Sequence, residues 1–249
     1  MSNSSAGNAL ITGVSGSFGS EIAKHLITKD YRVLGLDIRE NKDSPLMMSD
    51  NFRFELCDIT NFGELEKTIT GFCGNHGPFD VVINNAGVLF SEPLFSIKKG
   101  RFVTHSIEAW DRVISVCLSA AFYVIACTAR LMIEKRRKGL IINISSISAD
   151  GNIGQAAYSA AKAGLNGLTR SLSKELGPFG VRVVAIAPGF FDTDSTRAAL
   201  SEEQIGNVKK KVPLQRLGET GDLLKAIDFV IANTYYDGKI LELDGGLTI

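Results

Sequence analysis

Short apolar segments alternate with longer segments that carry apolar residues at helical spacing along the whole chain. The apolar segments have the length and composition of β-strands, and they lie at 8–12, 31–37, 52–57, 81–83, 140–144, 181–187 and 239–243. The helical segments lie at 20–28, 64–72, 107–134, 155–176 and 220–232. Each right-handed crossover between parallel strands carries a helix across one face of the sheet. The alternation therefore predicts an α/β fold with a doubly wound, parallel, seven-stranded sheet and helices on both faces.

No linker rich in proline, glycine or serine divides the 249 residues, which favours a single domain at 8–249 behind a flexible N-terminal tail at 1–7. The connections at 88–106 and 190–212 are longer than this fold needs. Both should emerge at the carboxyl ends of their strands, where open α/β sheets bind ligands. We therefore expect these two connections to be substrate loops.

The composition favours chemistry on a small molecule. The 27 lysines and arginines balance 27 aspartates and glutamates, so no net charge points to nucleic acid or to a membrane surface. The uncharged run at 113–129 is short and contains polar residues, which favours a buried helix over a membrane span. The four cysteines form no C-x-x-C pair, so we expect reduced thiols, no metal site and a cytoplasmic location.

A glycine-rich segment, Thr12-Gly-Val-Ser-Gly-Ser-Phe-Gly19, follows the first strand and opens the first helix. Glycines there let the backbone approach a pyrophosphate, and the N–H groups of a helix N-terminus bind the anion. Asp37 ends the second strand, where a carboxylate accepts hydrogen bonds from an adenine-ribose 2′-hydroxyl and repels a 2′-phosphate. We therefore expect a dinucleotide-binding domain that prefers NAD(H) over NADP(H). Arg39 leaves the alternative open, because a nearby arginine can accommodate the phosphate.

Tyr158 and Lys162 stand four residues apart in the predicted helix at 155–176, so both lie on one helix face. A cation beside a phenol favours the phenolate form, which makes such a tyrosine a candidate acid and base. Ser145 and Ser146 precede this pair at the end of a predicted strand. With five tyrosines and many lysines in the chain, the pair alone is also compatible with coincidence.

Together these motifs resemble the classical short-chain dehydrogenases/reductases. The matching motifs, in the family's order and spacing, are TGxxxxxG at 12–19, Asp58, Asn84-Asn-Ala-Gly87, Ile144-Ser-Ser146, Tyr158-xxx-Lys162, Pro188-Gly189 and Asp244-Gly-Gly246. The resemblance covers residues 8–247. Segments such as GQAAYSAAKAGLNGLTRSL most resemble bacterial 3-oxoacyl-acyl-carrier-protein reductases, although relatives with other substrates share them.

The resemblance implies a single-domain Rossmann fold and an oxidoreductase that transfers a hydride between NAD(H) and a carbonyl or secondary alcohol. Reduction of 3-oxoacyl thioesters is one candidate reaction, and a homotetramer or homodimer is the implied assembly. By this resemblance Tyr158 is the acid and base, Lys162 holds the nicotinamide ribose, and Ser146 positions the substrate oxygen. The implied cofactor contacts also include Gly13, Ser15, Ser17, Phe18, Gly19, Asp37, Ile38, Asp58, Ile59, Asn85, Ala86, Gly87, Pro188, Gly189, Phe191 and Thr193.

Three positions depart from the family pattern. Ser17 stands where the family has a glycine, so we expect it to crowd the pyrophosphate or rearrange the turn. Counting along the strand favours Ser146 as the catalytic serine, whereas counting back from Tyr158 gives Ser145. Cys117 replaces an asparagine that anchors a proton-relaying water beside the lysine, and a thiol is a weak hydrogen-bonding group. The alternative class is therefore a cofactor-binding protein with weak or no catalysis.

Overall fold

The computed structural model describes residues 7–98 and 100–248. The strands are β1 (Gly7–Thr12), β2 (Tyr31–Asp37), β3 (Phe52–Leu56), β4 (Val81–Asn84), β5 (Phe95–Lys98), β6 (Arg101–Thr104), β7 (Gly139–Ile144), β8 (Val181–Pro188) and β9 (Ile240–Leu243). The α-helices are α1 (Ser17–Thr28), α2 (Phe62–His76), α3 (Ile107–Ile114), α4 (Ala120–Glu134), α5 (Ala156–Leu176), α6 (Asp194–Ala199), α7 (Glu202–Lys211) and α8 (Thr220–Ala232). Residues 1–6 of the predicted tail lie outside the described residues, whereas Gly7, the last residue of that tail, is the first residue of β1.

Seven strands form one sheet in the order β3-β2-β1-β4-β7-β8-β9, and every neighbouring pair is parallel. This confirms the predicted doubly wound sheet and a Rossmann-like fold. The strand order reverses between β1 and β4, because β2 and β3 lie on one side of β1 and the later strands lie on the other. At such a switch point the loops after the two central strands diverge and leave a crevice in which ligands bind.

The central strands divide their side chains between two hydrophobic cores, because successive residues of a strand point to opposite faces. In β1, Ala9 and Ile11 pack with α1 and α8, while Leu10 packs with α2 and α4. All three side chains are fully buried. Burial of a large aliphatic side chain stabilises a fold by roughly 1.5–3 kcal/mol. The two cores therefore hold helices firmly against both faces of the sheet.

The predicted helix at 107–134 consists of α3 and α4 joined by one π-helical turn at Ser115–Ser119. Its length and composition would allow it to cross a membrane, but 56% of its apolar window is buried inside the protein. The apolar side chains of α4 pack in the core beside α2. The uncharged run is therefore part of a core helix, as predicted. π-Turns inside α-helices frequently occur at functional sites, and this turn contains Cys117.

Both long connections, which we expect to be substrate loops, contain secondary structure. The segment 88–106 includes a β-hairpin of β5 and β6, with Gly100 at a φ of +73° in its turn. The segment 190–212 contains α6 and α7, and α7 begins with a capping box between Ser201 and Gln204. Both segments follow strands of the large sheet and start at its carboxyl edge.

Candidate active site

Two glycines of the loop between β1 and α1 have no room for a side chain. Gly13 has a left-handed φ of +68°, and a Cβ on it would lie 2.8 Å from Ala86 Cα. A Cβ on Gly19 would collide with the carbonyl oxygen of Gly13. Helix α1 begins at Ser17, and its first turn has neither a side-chain cap nor an acidic residue. Its N–H groups and positive dipole end are therefore available to an anion such as a pyrophosphate.

Asp37, at the end of β2, is held by backbone N–H groups on two sides. Its Oδ2 accepts a hydrogen bond from Ser15 N–H (3.0 Å), and its Oδ1 accepts one from Arg39 N–H (3.1 Å). Ser15 Oγ donates to the Arg39 carbonyl oxygen (2.6 Å), which ties the loop after β1 to the segment after β2. Ile38, beside the carboxylate, is 59% exposed. Asp37 is thus fixed next to the glycine loop, where the fold places an adenine ribose.

Thr12 connects the glycine loop to the loop after β4. Its hydroxyl oxygen accepts hydrogen bonds from the backbone N–H groups of Asn85 (3.1 Å) and Ala86 (3.0 Å). The Asn85 side-chain amide donates back to the carbonyl oxygens of Thr12 (3.0 Å) and Gly13 (3.1 Å). These contacts bring the predicted cofactor residues Gly13, Asn85 and Ala86 to one place.

Tyr158 and Lys162 lie side by side on α5, as their spacing predicts. Lys162 Nζ is 5.4 Å from the centre of the Tyr158 ring and donates a hydrogen bond to the Ile144 carbonyl oxygen (2.7 Å). Lys162 is only 3% exposed, whereas Tyr158 is half-buried. A Cβ on Gly87 would lie 3.9 Å from Lys162 Nζ, so the loop after β4 reaches the ammonium. The structure therefore brings the predicted catalytic pair and the loop after β4 together.

The two serines at the end of β7 have different surroundings. Ser145 is buried, its Oγ donates to Asn166 Oδ1 (2.7 Å), and its N–H donates to the Ile186 carbonyl oxygen (2.7 Å). Ser146 is less buried and begins a 3₁₀ turn, in which its Oγ accepts a hydrogen bond from Ser148 N–H (3.1 Å). That contact uses the oxygen as an acceptor, so the Ser146 hydroxyl can still donate to a substrate oxygen. These contacts favour Ser146 over Ser145 as the catalytic serine.

Cys117, in the π-turn, is 1% exposed and holds the loop after β4. Its Sγ accepts a hydrogen bond from Val88 N–H (3.3 Å) and donates one to the Val88 carbonyl oxygen (3.4 Å). The sulfur also lies 3.6 Å from the position of a Cβ on Gly87, the same point that is near Lys162 Nζ. One donor and one acceptor directed at a single residue is the pattern that an asparagine amide also offers.

Several predicted cofactor residues have side chains with structural partners instead. Phe18 and Phe191 pack edge to face with 5.2 Å between ring centres, and Phe191 is buried in the core with α1 and α8. Ile59 is buried in the opposite core. Thr193 caps α6, because its Oγ1 accepts a hydrogen bond from Thr196 N–H (3.2 Å). Any cofactor contact of the buried Phe191 and Ile59 would come mainly from the backbone.

The remaining predicted residues lie at or just after the carboxyl ends of β3 and β8. Asp58 Oδ1 accepts hydrogen bonds from Thr60 N–H (2.9 Å) and from the Thr60 hydroxyl (2.7 Å). Pro188 ends β8, and a Cβ on Gly189 would lie 2.9 Å from Asp244 Cα. A glycine at this position lets the segment after β9 approach closely.

Asn166 is not among the predicted site residues, although it lies on the same helix face as Lys162. It stands four residues after Lys162 and partners the buried Ser145. The available signal was a polar residue at i+4 from the lysine. That signal is weak, because asparagine at such a spacing is also common on exposed helix faces.

The glycine loop, the acidic end of β2 and the tyrosine–lysine pair at the switch point of a parallel sheet define a dinucleotide-binding oxidoreductase. The sequence profile of the short chain dehydrogenase family matches residues 7–204 of this chain. The chain belongs to this family, which confirms the family resemblance seen in its motifs.

Curated relatives and solved structures cover nearly the whole chain. The 3-oxoacyl-[acyl-carrier-protein] reductase of Escherichia coli (strain K12) is 33% identical over 244 residues, covering 96% of each chain. Human 3-hydroxyacyl-CoA dehydrogenase type-2 is 31% identical over 248 residues, covering 96% of this chain and 94% of the human protein. The crystal structure of a short chain dehydrogenase from Leptospira borgpetersenii with bound NAD+ superposes with a TM-score of 0.87 at 30% identity, covering 98% of this chain and 94% of the other.

Proposed function

We propose that this protein transfers a hydride between NAD(H) and a carbonyl or secondary alcohol substrate, with Tyr158 as the acid and base. The observation that carries the proposal is the buried Lys162 ammonium, fixed 2.7 Å from the Ile144 carbonyl oxygen and 5.4 Å from the centre of the Tyr158 ring. A cation held there stabilises negative charge that develops on the Tyr158 side chain during proton transfer. When bound, the nicotinamide supplies or accepts the hydride.

The side chains around this pair have complementary roles. In the reductive direction Tyr158 donates its phenol proton to the substrate oxygen, and in the oxidative direction it removes the proton from the alcohol. The Ser146 hydroxyl donates a hydrogen bond to the same oxygen and holds it near the phenol. Lys162 holds the nicotinamide ribose. The segments 88–106 and 190–212 form the substrate walls of a single catalytic domain at 8–249.

The same site favours NAD(H) over NADP(H). Both oxygens of Asp37 are fixed by backbone N–H groups of Ser15 and Arg39, so the negative charge stays beside the expected adenine ribose. A 2′-phosphate would bring further negative charge to this position, which like-charge repulsion disfavours. The helix α1 N-terminus binds the pyrophosphate, and Asn85 to Gly87 line the adenosine side.

Oxoacyl thioesters are the first substrates to test. The names of relatives at 31–33% identity include a 3-oxoacyl-[acyl-carrier-protein] reductase, an acetoacetyl-CoA reductase and a 3-hydroxyacyl-CoA dehydrogenase. In this chain Phe90 and Val88 pack in the same apolar cluster as Tyr158, which gives the site an apolar wall suited to an acyl chain.

Replacement of Tyr158 by phenylalanine tests the mechanism. NADH fluorescence should report binding within about twofold of wild type, while turnover of a panel of ketones and 3-oxoacyl thioesters should fall by about 10²–10⁴-fold. Tyr235→Phe is the matched control, because Tyr235 is fully exposed and should leave both properties unchanged. Equal turnover in wild type and Tyr158→Phe would refute the assigned role. NADH binding by wild type without turnover of any panel member would favour the cofactor-binding alternative.

We also propose that the protein is a cytoplasmic homo-oligomer, a tetramer or a dimer, in which the surface at α8 and β9 is one interface. A cleft of about 510 Å³ between α8 and β9 has a lining that includes Leu214 and Phe229. These two side chains are 63% and 43% exposed. Strand β9 is an outer strand of the sheet, so an apolar surface and an unpaired strand edge lie together. Sedimentation velocity of the purified protein decides between tetramer, dimer and monomer.

A further inference from the structure

Three polar contacts join the end of β7 to a single stripe of α5. They are Asn143 Nδ2 to Thr169 Oγ1 (2.9 Å), Lys162 Nζ to the Ile144 carbonyl oxygen (2.7 Å) and Ser145 Oγ to Asn166 Oδ1 (2.7 Å). The strand residues are consecutive, and the helix residues follow the spacing i, i+4 and i+7, which lies along one face of a helix. Only the lysine contact belongs to the proposed catalytic machinery.

Of the three contacts, the one between Ser145 and Asn166 is nearest in sequence to Ser146. Ser145 is 3% exposed, and its Oγ also lies 3.4 Å from the Lys162 carbonyl oxygen. Its backbone N–H is bonded to Ile186 on β8, so Ser145 is fixed by the sheet on one side and by α5 on the other. The next residue in the chain is Ser146.

We propose that Asn166 is a positioning residue: by accepting the hydrogen bond of Ser145, it ties the residue before Ser146 to the turn of α5 that follows Lys162. This inference rests on the proposed function, in which Ser146 must act together with Tyr158 and Lys162. Ser146 follows the strand, whereas the other two residues lie on the helix. Their separation is therefore determined by how the helix is seated on the strand.

Hydrogen bonds fix the distance between Ser146 and the helix residues more precisely than apolar packing does, because a hydrogen bond weakens steeply when its atoms move apart. The apolar cluster around Tyr158, which includes Ala157 and Ala161, packs against α3 and the π-turn and contains none of the described residues of β7, so it does not hold this part of α5 to the strand. Movement of this turn of α5 away from the strand end would separate Ser145 from Asn166 and leave the buried Ser145 hydroxyl without that partner, which is costly. A displacement of about 1 Å between reacting groups can reduce a rate by about 10²-fold.

The Asn143–Thr169 contact provides a matched control. It joins the same two elements and is fully buried, but Thr169 is eleven residues beyond Tyr158 on α5 and lies deeper in the protein. If Ser145 and Asn166 merely stabilise the fold, loss of either contact should have the same consequences. If they position the site, only loss of the Ser145 contact should change its chemistry.

The experiment compares Ser145→Thr with Ser145→Val, two side chains of nearly equal shape that differ in the hydroxyl. We expect the threonine variant to keep turnover within about twofold of wild type. The valine variant should lose about tenfold in turnover, and its NADH dissociation constant should rise about threefold, because Lys162 shares the displaced helix face. Thr169→Val should lower the urea midpoint to a similar extent while leaving turnover and NADH affinity unchanged.

Asn166→Leu gives an independent reading, since Asn166 is only partly buried and tolerates replacement more readily than Ser145. It should reproduce the effect of Ser145→Val, and the double variant should be no worse than either single variant. Ser145→Val or Asn166→Leu with the activity and NADH affinity of Thr169→Val would overturn the inference. If wild type binds NADH but turns over no substrate, the proposed catalysis fails, and the NADH affinities of these variants still decide the positioning role. If wild type binds NADPH and not NADH, the variants are compared by their NADPH affinity, and absence of binding of both cofactors would overturn both proposals.

Discussion

Replacement of Cys117 by alanine removes the contact between the π-turn and the loop after β4. The sulfur makes two weak hydrogen bonds to Val88, at 3.3 and 3.4 Å, and is 1% exposed. Loss of two weak hydrogen bonds, together with the small void left by a sulfur atom, should cost about 1–2 kcal/mol of unfolding free energy. For a chain of 249 residues this corresponds to a fall in Tm of about 2–4 °C.

Cys117→Asn is the informative companion, because an amide can donate to the Val88 carbonyl oxygen and accept from its N–H. We expect its unfolding free energy, measured by urea denaturation, to lie within about 0.5 kcal/mol of wild type. If proton supply to Lys162 limits turnover, this variant should also turn over faster than wild type. An alanine variant with the same denaturation midpoint as wild type would refute the reasoning, because the thiol contacts would then contribute nothing.

Two further predictions concern charged side chains. Asp37→Ser removes the carboxylate held by Ser15 N–H, so the ratio of NADPH to NADH affinity should rise about tenfold in fluorescence titrations. An unchanged ratio would show that Asp37 does not select the cofactor. The pKa of Asp222 is lowered by its hydrogen bond from Arg216 and then by that from Glu219 N–H. Its folded-state pKa is therefore below the unfolded value near 3.9, so this carboxylate stabilises the fold above about pH 4, and the contribution is lost as pH falls through the folded pKa. Asp222→Asn should lower the urea midpoint at pH 7 and show a smaller further loss on acidification than wild type does.

The sheet could be predicted from sequence because its strands are buried on both faces. All four residues of Val81–Asn84 are buried, and a short run of this kind between two helical segments is typical of a strand inside a parallel sheet. The hairpin of β5 and β6 was not predicted, since it does not pack in either large core. Phe95, Ile97 and Phe102 are 61%, 68% and 81% exposed, so their alternation with polar residues does not mark a buried face. Gly100, with its positive φ, was the available turn signal.

The kinds of residue in the site could also be predicted, but their partners could not. Motif order identifies Asp37, Tyr158 and Lys162, because each has a fixed place relative to a strand or a helix. It does not show that Lys162 bonds to a strand carbonyl or that Phe191 packs in the core, since these contacts join segments far apart in the chain. The π-turn at Cys117 is only five residues long, too short to change the helical spacing of apolar residues, so the sequence there predicts an uninterrupted helix.

Strand alternation gives the two adjacent serines different surroundings. Asn143 and Ser145 point toward α5, where each has a helix partner, while Ile144 packs in the opposite core. Ser146 continues in extended conformation, with φ of −167° and ψ of 154°, so its side chain leaves the face that Ser145 occupies. The count back from Tyr158 cannot detect this difference, because the length of a loop carries no information about the face of a strand. Ser145, which counting back from Tyr158 favours, therefore has its hydroxyl bonded to Asn166, and this contact is the structural reason to propose Ser146 as the serine that meets the substrate.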